Sequence, residues 1–122
     1  MYNTIIVPTD FSNEDLTIQS LKKAENLSEQ GHIILLHILE DVPYDVLKTR
    51  STLDEWINKS GVKAEVEVRD GGSYHNIIES AKANNADLIL INPHKPGFGD
   101  YLLGSTTSKV VRHAPCAVLV DR

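Results

Sequence analysis

The chain has a single cysteine, Cys116, so no disulfide can close within its 122 residues and no redox framework holds the fold. Aromatic residues make up only 6% of it, and the one tryptophan, Trp56, sits among apolar helix positions as a core or interface anchor rather than a base-stacking platform. Basic residues are outnumbered, 12 Lys and Arg against 17 Asp and Glu, and the resulting net charge of -5 excludes general nucleic-acid binding, which needs a basic face. It leaves room for a small anion, which backbone amides and one or two cations can hold. No apolar run approaches membrane-spanning length, and no signal-peptide pattern precedes the first apolar run, Ile5-Ile6-Val7. With the lone cysteine, this points to a cytoplasmic protein.

What is present is an ordinary globular composition, 41% hydrophobic and 24% charged, with the length of one domain, 1–122. Short apolar runs alternate with helical stretches. Ile5-Ile6-Val7, ended by Pro8, reads as a strand; Ser12 then caps a helix carrying Glu14 and Asp15 in its first turn and stopping at Gly31. Ile33–Leu39 is a longer apolar strand. Pro43 to Lys59 reads as a helix, weak at Thr49-Arg50-Ser51-Thr52 and terminated by Gly61. Ala64, Val66 and Val68 alternate with charged residues, the pattern of an edge or half-exposed strand. After the turn Asp70-Gly71-Gly72, Ser73 caps a helix to about Asn84, and Leu88–Ile91 is a fourth strand. The loop from Asn92 to Asp100 is rich in proline and glycine; a short helix, Pro115 and a buried strand beginning at Cys116 follow.

This alternation predicts an α/β fold with a parallel sheet covered by helices on both faces. In such sheets ligands bind at the carboxyl ends of the strands, where the strand order reverses. Pro8-Thr9-Asp10, Ile38–Asp41 and Asn92–Thr107 converge there. The last segment contains Gly104-Ser105-Thr106-Thr107 at the start of a helix, whose unpaired N–H groups and partial positive charge suit a phosphate. Ser105 and Thr107 are the candidate phosphate donors and Thr106 faces away; equally, Ser105 or Thr106 is an ordinary N-cap. His37 reads as a satisfied core residue, His113 as a favourable charge at a helix C-terminus, and Cys116 as inert packing. His32 and His75 have no metal-ligand spacing.

Ordered along the chain, these motifs resemble the universal stress protein family. Ile5-Ile6-Val7-Pro8-Thr9-Asp10-Phe11-Ser12 resembles its opening strand and Pro-x-Asp-x-Ser turn, and Leu35-Leu36-His37-Ile38 its Leu-Leu-His-Val. Gly71, Ala86-Asp87-Leu88-Ile89, Gly104-Ser105 and Val110-Val111-Arg112-His113-Ala114-Pro115-Cys116 complete the likeness. The resemblance implies a flavodoxin-like or Rossmann-like open five-stranded parallel sheet of order 3-2-1-4-5. It also implies a homodimer through the last strand, about Ala117 to Val120. ATP-binding members carry Gly-x2-Gly-x9-Gly-(Ser/Thr); here Ile91 and His94 stand at the first two glycines, and Gly104 and Ser105 remain. Isoleucine adds bulk where backbone and ligand should approach closely. Pro93-His94-Lys95-Pro96 is similar to the Ser-His-Arg-Pro of a UspF and TeaD type subgroup, with lysine keeping the charge but not the planar fork of arginine.

By this resemblance an adenine nucleotide, ATP or AMP, with Mg2+ neutralising a triphosphate, is the expected ligand. Asp10 would bond the nucleoside end, or else cap the nearby helix. Pro8 and Thr9 would wall the pocket, and Ile38 would offer its backbone to the adenine edge. Asn92, His94, Lys95, Gly104, Ser105 and Thr107 would surround the phosphates, although Lys95 also reads as a solvated loop charge. The chain has no Gly-x4-Gly-Lys-(Ser/Thr) loop and no visible nucleophile–base pair, so any ATP hydrolysis would be slow. Two functions follow: a nucleotide-binding regulatory protein of the stress response, or a dimeric interaction module of the same fold that binds no nucleotide.

Overall fold

The structure, a computed structural model, describes residues 2–11, 13–39, 46–93 and 105–121. Strands and helices alternate along the described residues: β1 (Tyr2–Thr9), α1 (Glu14–Leu27), β2 (Ser28–Leu39), α2 (Val46–Ser60), β3 (Glu65–Asp70), α3 (Ser73–Ala83), β4 (Leu88–Ile91), α4 (Ser105–His113) and β5 (Ala117–Val120). The strands form one parallel five-stranded sheet in the order β3-β2-β1-β4-β5, as the alternation and the family resemblance predict.

Alternation of side chains along each strand sorts the apolar runs onto two faces. Ile5, Val7, Ile33, Leu35, Leu88 and Leu90 pack with Leu21 and Ala24 of α1 and with Leu53, Trp56 and Ile57 of α2. Their sequence neighbours Ile6, Ile34, Leu36, Ile89 and Ile91 turn to the opposite face and meet Ile77 and Ala81 of α3 and Val110 of α4. The apolar runs are continuous because each central strand has a core on both sides.

Several local expectations change in the folded chain. The first helix is capped by Asn13, whose side chain accepts from the Leu16 N–H at 3.0 Å; Ser12, the expected cap, lies outside the described residues. That helix ends at Leu27 rather than at Gly31, because the Ser28 N–H closes on the carbonyls of Ala24 and Glu25 with an extended backbone. Gly31, at φ 70, instead serves an irregular start of β2, where the register with β1 shifts between Tyr2 and Thr4. Pro8 does not end β1. It pairs with Leu36, and its missing N–H lies beyond the β1–β4 ladder, which covers Ile5 and Ile6. Gly72, not Ser73, occupies the N-cap of α3, without a side-chain cap bond. The helix α2 runs unbroken through the weak segment from Thr49 to Thr52, where Thr49 is buried; the expected start at Pro43 lies outside the described residues. Finally, β5 is an edge strand. Val118 and Val120 pack against the second core cluster, but Leu119 is 40% exposed, so the fully buried strand that its sequence suggested is covered on one face only.

Candidate functional site

Strand order reverses between β1 and β4: from β1 the chain crosses first to β2 and then to β3, whereas β4 returns to the opposite side of β1. Thr9 at the end of β1, with Asp10 after it, and Asn92 and Pro93 after β4 therefore flank the crevice where α/β sheets bind ligands. Asp10 is exposed, while Pro8, Thr9, Asn92 and Pro93 are half-buried. Ile38, near the end of β2, is half-buried and packs against the second core cluster. Of the remaining candidates, Ser105 is exposed at the first position of α4, whereas Thr107 is 4% exposed within the same helix. Thr106 between them is half-buried. His94, Lys95 and Gly104 lie outside the described residues.

The turn after β1 is ordered by a relay of hydroxyl groups. The Thr17 hydroxyl donates to the Asn13 carbonyl at 2.9 Å, which leaves the Thr9 hydroxyl as the donor of the 3.0 Å bond between the two threonines. The lone pairs of Thr9 Oγ1 then face the Phe11 N–H, which donates at 3.3 Å. On the other side, His37 Nδ1 lies 2.8 Å from the Thr9 carbonyl oxygen. A carbonyl only accepts, so His37 Nδ1 is the donor. His37 is 5% exposed, in keeping with its reading as a core residue.

Sequence reasoning missed the ring cluster beside this turn. The Phe11 ring lies 4.3 Å from His37 and meets Trp56 edge-on at 5.2 Å. Trp56 is 7% exposed and belongs to the core beneath α1 and α2, as its anchor reading anticipates. The three rings come from a turn, a strand and a helix distant in sequence, so no local pattern could have announced the cluster.

Ile91 bears directly on the loss of the first family glycine. Its side chain is 5% exposed and is packed with Ile6, Ile89 and Val110 in the core under α3 and α4. The added bulk is thus taken up by the core. Among the described residues, no group of three or more His, Cys, Asp or Glu side chains is arranged to hold a metal ion. Cys116 is half-buried; burial, reinforced by the Asp87 carboxylate, pushes its thiol above the ordinary value and keeps it protonated. Among the described residues, no helix is long and apolar enough to cross a membrane.

Comparison with known proteins bears on the whole chain. The profile of the universal stress protein family matches residues 1–122. Universal stress protein G of Salmonella typhimurium is 29% identical over 142 aligned positions, covering 100% of both chains. Among solved structures, universal stress protein UspA from Lactobacillus plantarum superposes with a TM-score of 0.78 at 24% identity, covering 99% of this chain and 98% of that one. The universal stress protein from Archaeoglobus fulgidus in complex with dAMP gives 0.74 at 20% identity, again over 99% and 98% of the two chains.

Proposed function

Because this chain belongs to the universal stress protein family, we propose that it is a regulatory protein that binds an adenine nucleotide, ATP or AMP, at the carboxyl ends of β1 and β4. The burial of Ile91 carries this reading: the isoleucine at the first family glycine packs into the core under α3 and α4, which supports an open ligand position beside it. The A. fulgidus relative with dAMP lends support at the level of a shared fold. Asp10 would accept from the nucleoside, with Pro8 and Thr9 beside it and the Ile38 backbone along the base. Ser105, at the amino end of α4, would donate to a phosphate where the helix amides also point. Asn92, His94, Lys95, Gly104 and Thr107 complete the proposed phosphate region by family resemblance. Magnesium would neutralise a bound triphosphate from the ligand side.

Titration calorimetry of nucleotide-stripped protein with ATP and magnesium, and with AMP, tests the proposal. Saturable binding is expected, weakened about tenfold or more in Ser105→Ala by loss of a hydrogen bond to a charged group. Ser105 is exposed, so this variant should keep its stability to within about 0.5 kcal/mol. Absence of binding at millimolar ATP overturns the proposal.

A second reading, a dimeric interaction module without a nucleotide, is favoured by one observation. The β5 edge is uncharged from Ala117 to Val120 and leaves Leu119 exposed, as a strand that pairs with a second copy would.

A further inference from the structure

Phe11 combines two features that oppose each other. Its backbone is in the left-handed region, φ 69, which a residue with a bulky side chain rarely adopts. A glycine there would be free of strain, yet the position holds a large ring. Such a conformation persists only when its surroundings over-determine it. Here they do: the ring is wedged between His37 and Trp56, at 4.3 Å and 5.2 Å, and packs against the first core cluster. Its own N–H is held by Thr9 Oγ1 at 3.3 Å, and the Thr9 carbonyl is held by His37 Nδ1 at 2.8 Å. His37 therefore touches both ends of the turn, by hydrogen bond at Thr9 and by ring contact at Phe11.

Asp10 stands between these two anchored residues, exposed at the crevice. We infer that Phe11 is a positioning residue: its ring, clamped by His37 and Trp56, sets the backbone of the turn that presents Asp10, and ties that turn to α2. Trp56 is the only tryptophan of the chain, so the ring contact also makes its fluorescence a built-in reporter of the turn. The consequence for ligand binding rests on the nucleotide reading above; the ordering of the turn does not.

Three forms of the full chain separate the two: wild type, Phe11→Gly and Phe11→Tyr. Glycine relieves the backbone but removes the clamp, while tyrosine keeps an aromatic ring. Amide hydrogen exchange without ligand is the first readout. Exchange at Asp10 and Phe11 should rise about tenfold or more in Phe11→Gly, with the β2 and β4 amides still protected, and return toward wild type in Phe11→Tyr. Trp56 emission should shift in Phe11→Gly and not in Phe11→Tyr. Unchanged exchange and emission in Phe11→Gly overturn the inference whether or not nucleotide binds. The second readout is ATP titration with magnesium. If wild type binds, a loss of about tenfold in Phe11→Gly, with recovery in Phe11→Tyr, supports positioning, and an unaltered affinity in Phe11→Gly overturns it. If wild type binds no ATP, the nucleotide reading fails and the positioning of Asp10 is decided by exchange and emission alone.

Discussion

Asp87 and Thr4 bond to each other in both directions: the Thr4 N–H donates to the Asp87 carboxylate at 3.0 Å, and the Asp87 N–H donates to the Thr4 carbonyl at 3.0 Å. The same carboxylate accepts from the Asn3 N–H at 2.9 Å. The entry of β4 is thereby clipped to the start of β1, the two strands that flank the reversal of strand order.

Acid sensitivity follows from that clip. Partial burial raises the Asp87 pKa, but the N–H groups of Asn3, Thr4 and Asp87 itself, with the positive charge of the chain's amino terminus, together hold the carboxyl below its ordinary value. The folded protein therefore binds this proton less readily than the unfolded chain. The stabilisation is fully present above the unfolded carboxylate pKa and is lost as pH falls through the folded value. Asp87→Asn should lower stability at pH 7 by about 1–2 kcal/mol, and the gap should close in strong acid. Urea unfolding of both forms at neutral and acid pH measures this. A gap of equal size at both pH values would contradict it.

Two glycines with positive φ should respond unequally to alanine. Gly71 has φ +114, outside the left-handed helical well, and an added Cβ would come within 3.1 Å of Asn76 Nδ2. That nitrogen donates to the carbonyls of Asp70 and Gly72 at 3.0 Å and 2.9 Å, so it has little freedom to retreat. Gly61, at φ +72, faces open space. Gly61→Ala should cost about 1 kcal/mol and Gly71→Ala about 2 kcal/mol or more. Thermal unfolding of the two variants provides the comparison, and equal losses would refute the role given to Asn76.

Ser20 faces the interior from α1, 3% exposed, and its hydroxyl has no hydrogen-bond partner among the described residues. Ser20→Ala removes that unsatisfied group and improves helix propensity. It should stabilise the protein by about 0.5–1 kcal/mol, seen as a higher urea midpoint with an unchanged slope.

The two sheet edges should differ in what they pair with. On the β3 edge Arg50 of α2 donates to the Val66 carbonyl at 3.2 Å, and Glu65, Glu67, Arg69 and Asp70 crowd the strand with charge. Among the described residues the β5 edge has neither device. Leu119→Lys should therefore weaken self-association by about tenfold or more in sedimentation experiments, and Arg50→Ala should not weaken it. Wild-type protein that sediments as a monomer at high concentration would contradict the β5 dimer.

Legibility at the site divides along the same line as legibility in the fold. That Asp10 and Asn92 follow strands and that Ser105 opens a helix was readable, because the end of a strand or the start of a helix is a local property. Thr107 was read with Ser105 as a phosphate donor from their positions at the start of the helix, whereas its burial depends on how α4 lies against the sheet. Whether Ile91 would obstruct the crevice could not be read either. Its direction follows from the pleat of β4, and the cost of its bulk from the room beneath α3 and α4.

By itself the sequence determined the alternation of strands and helices, the central strands apolar on both faces and the break at Gly61, because periodicity and turn chemistry act over a few residues. Its motifs, taken in order, also determined the family. Tertiary structure alone decided that Asn13 rather than Ser12 caps α1, since a cap is chosen by which side chain reaches the free N–H groups. It alone decided that β5 stays half exposed, because burial of an edge strand depends on what lies beside it. And it alone brought Phe11, His37 and Trp56 together, since ring contacts between residues 11, 37 and 56 exist only once the sheet has closed the distances between them.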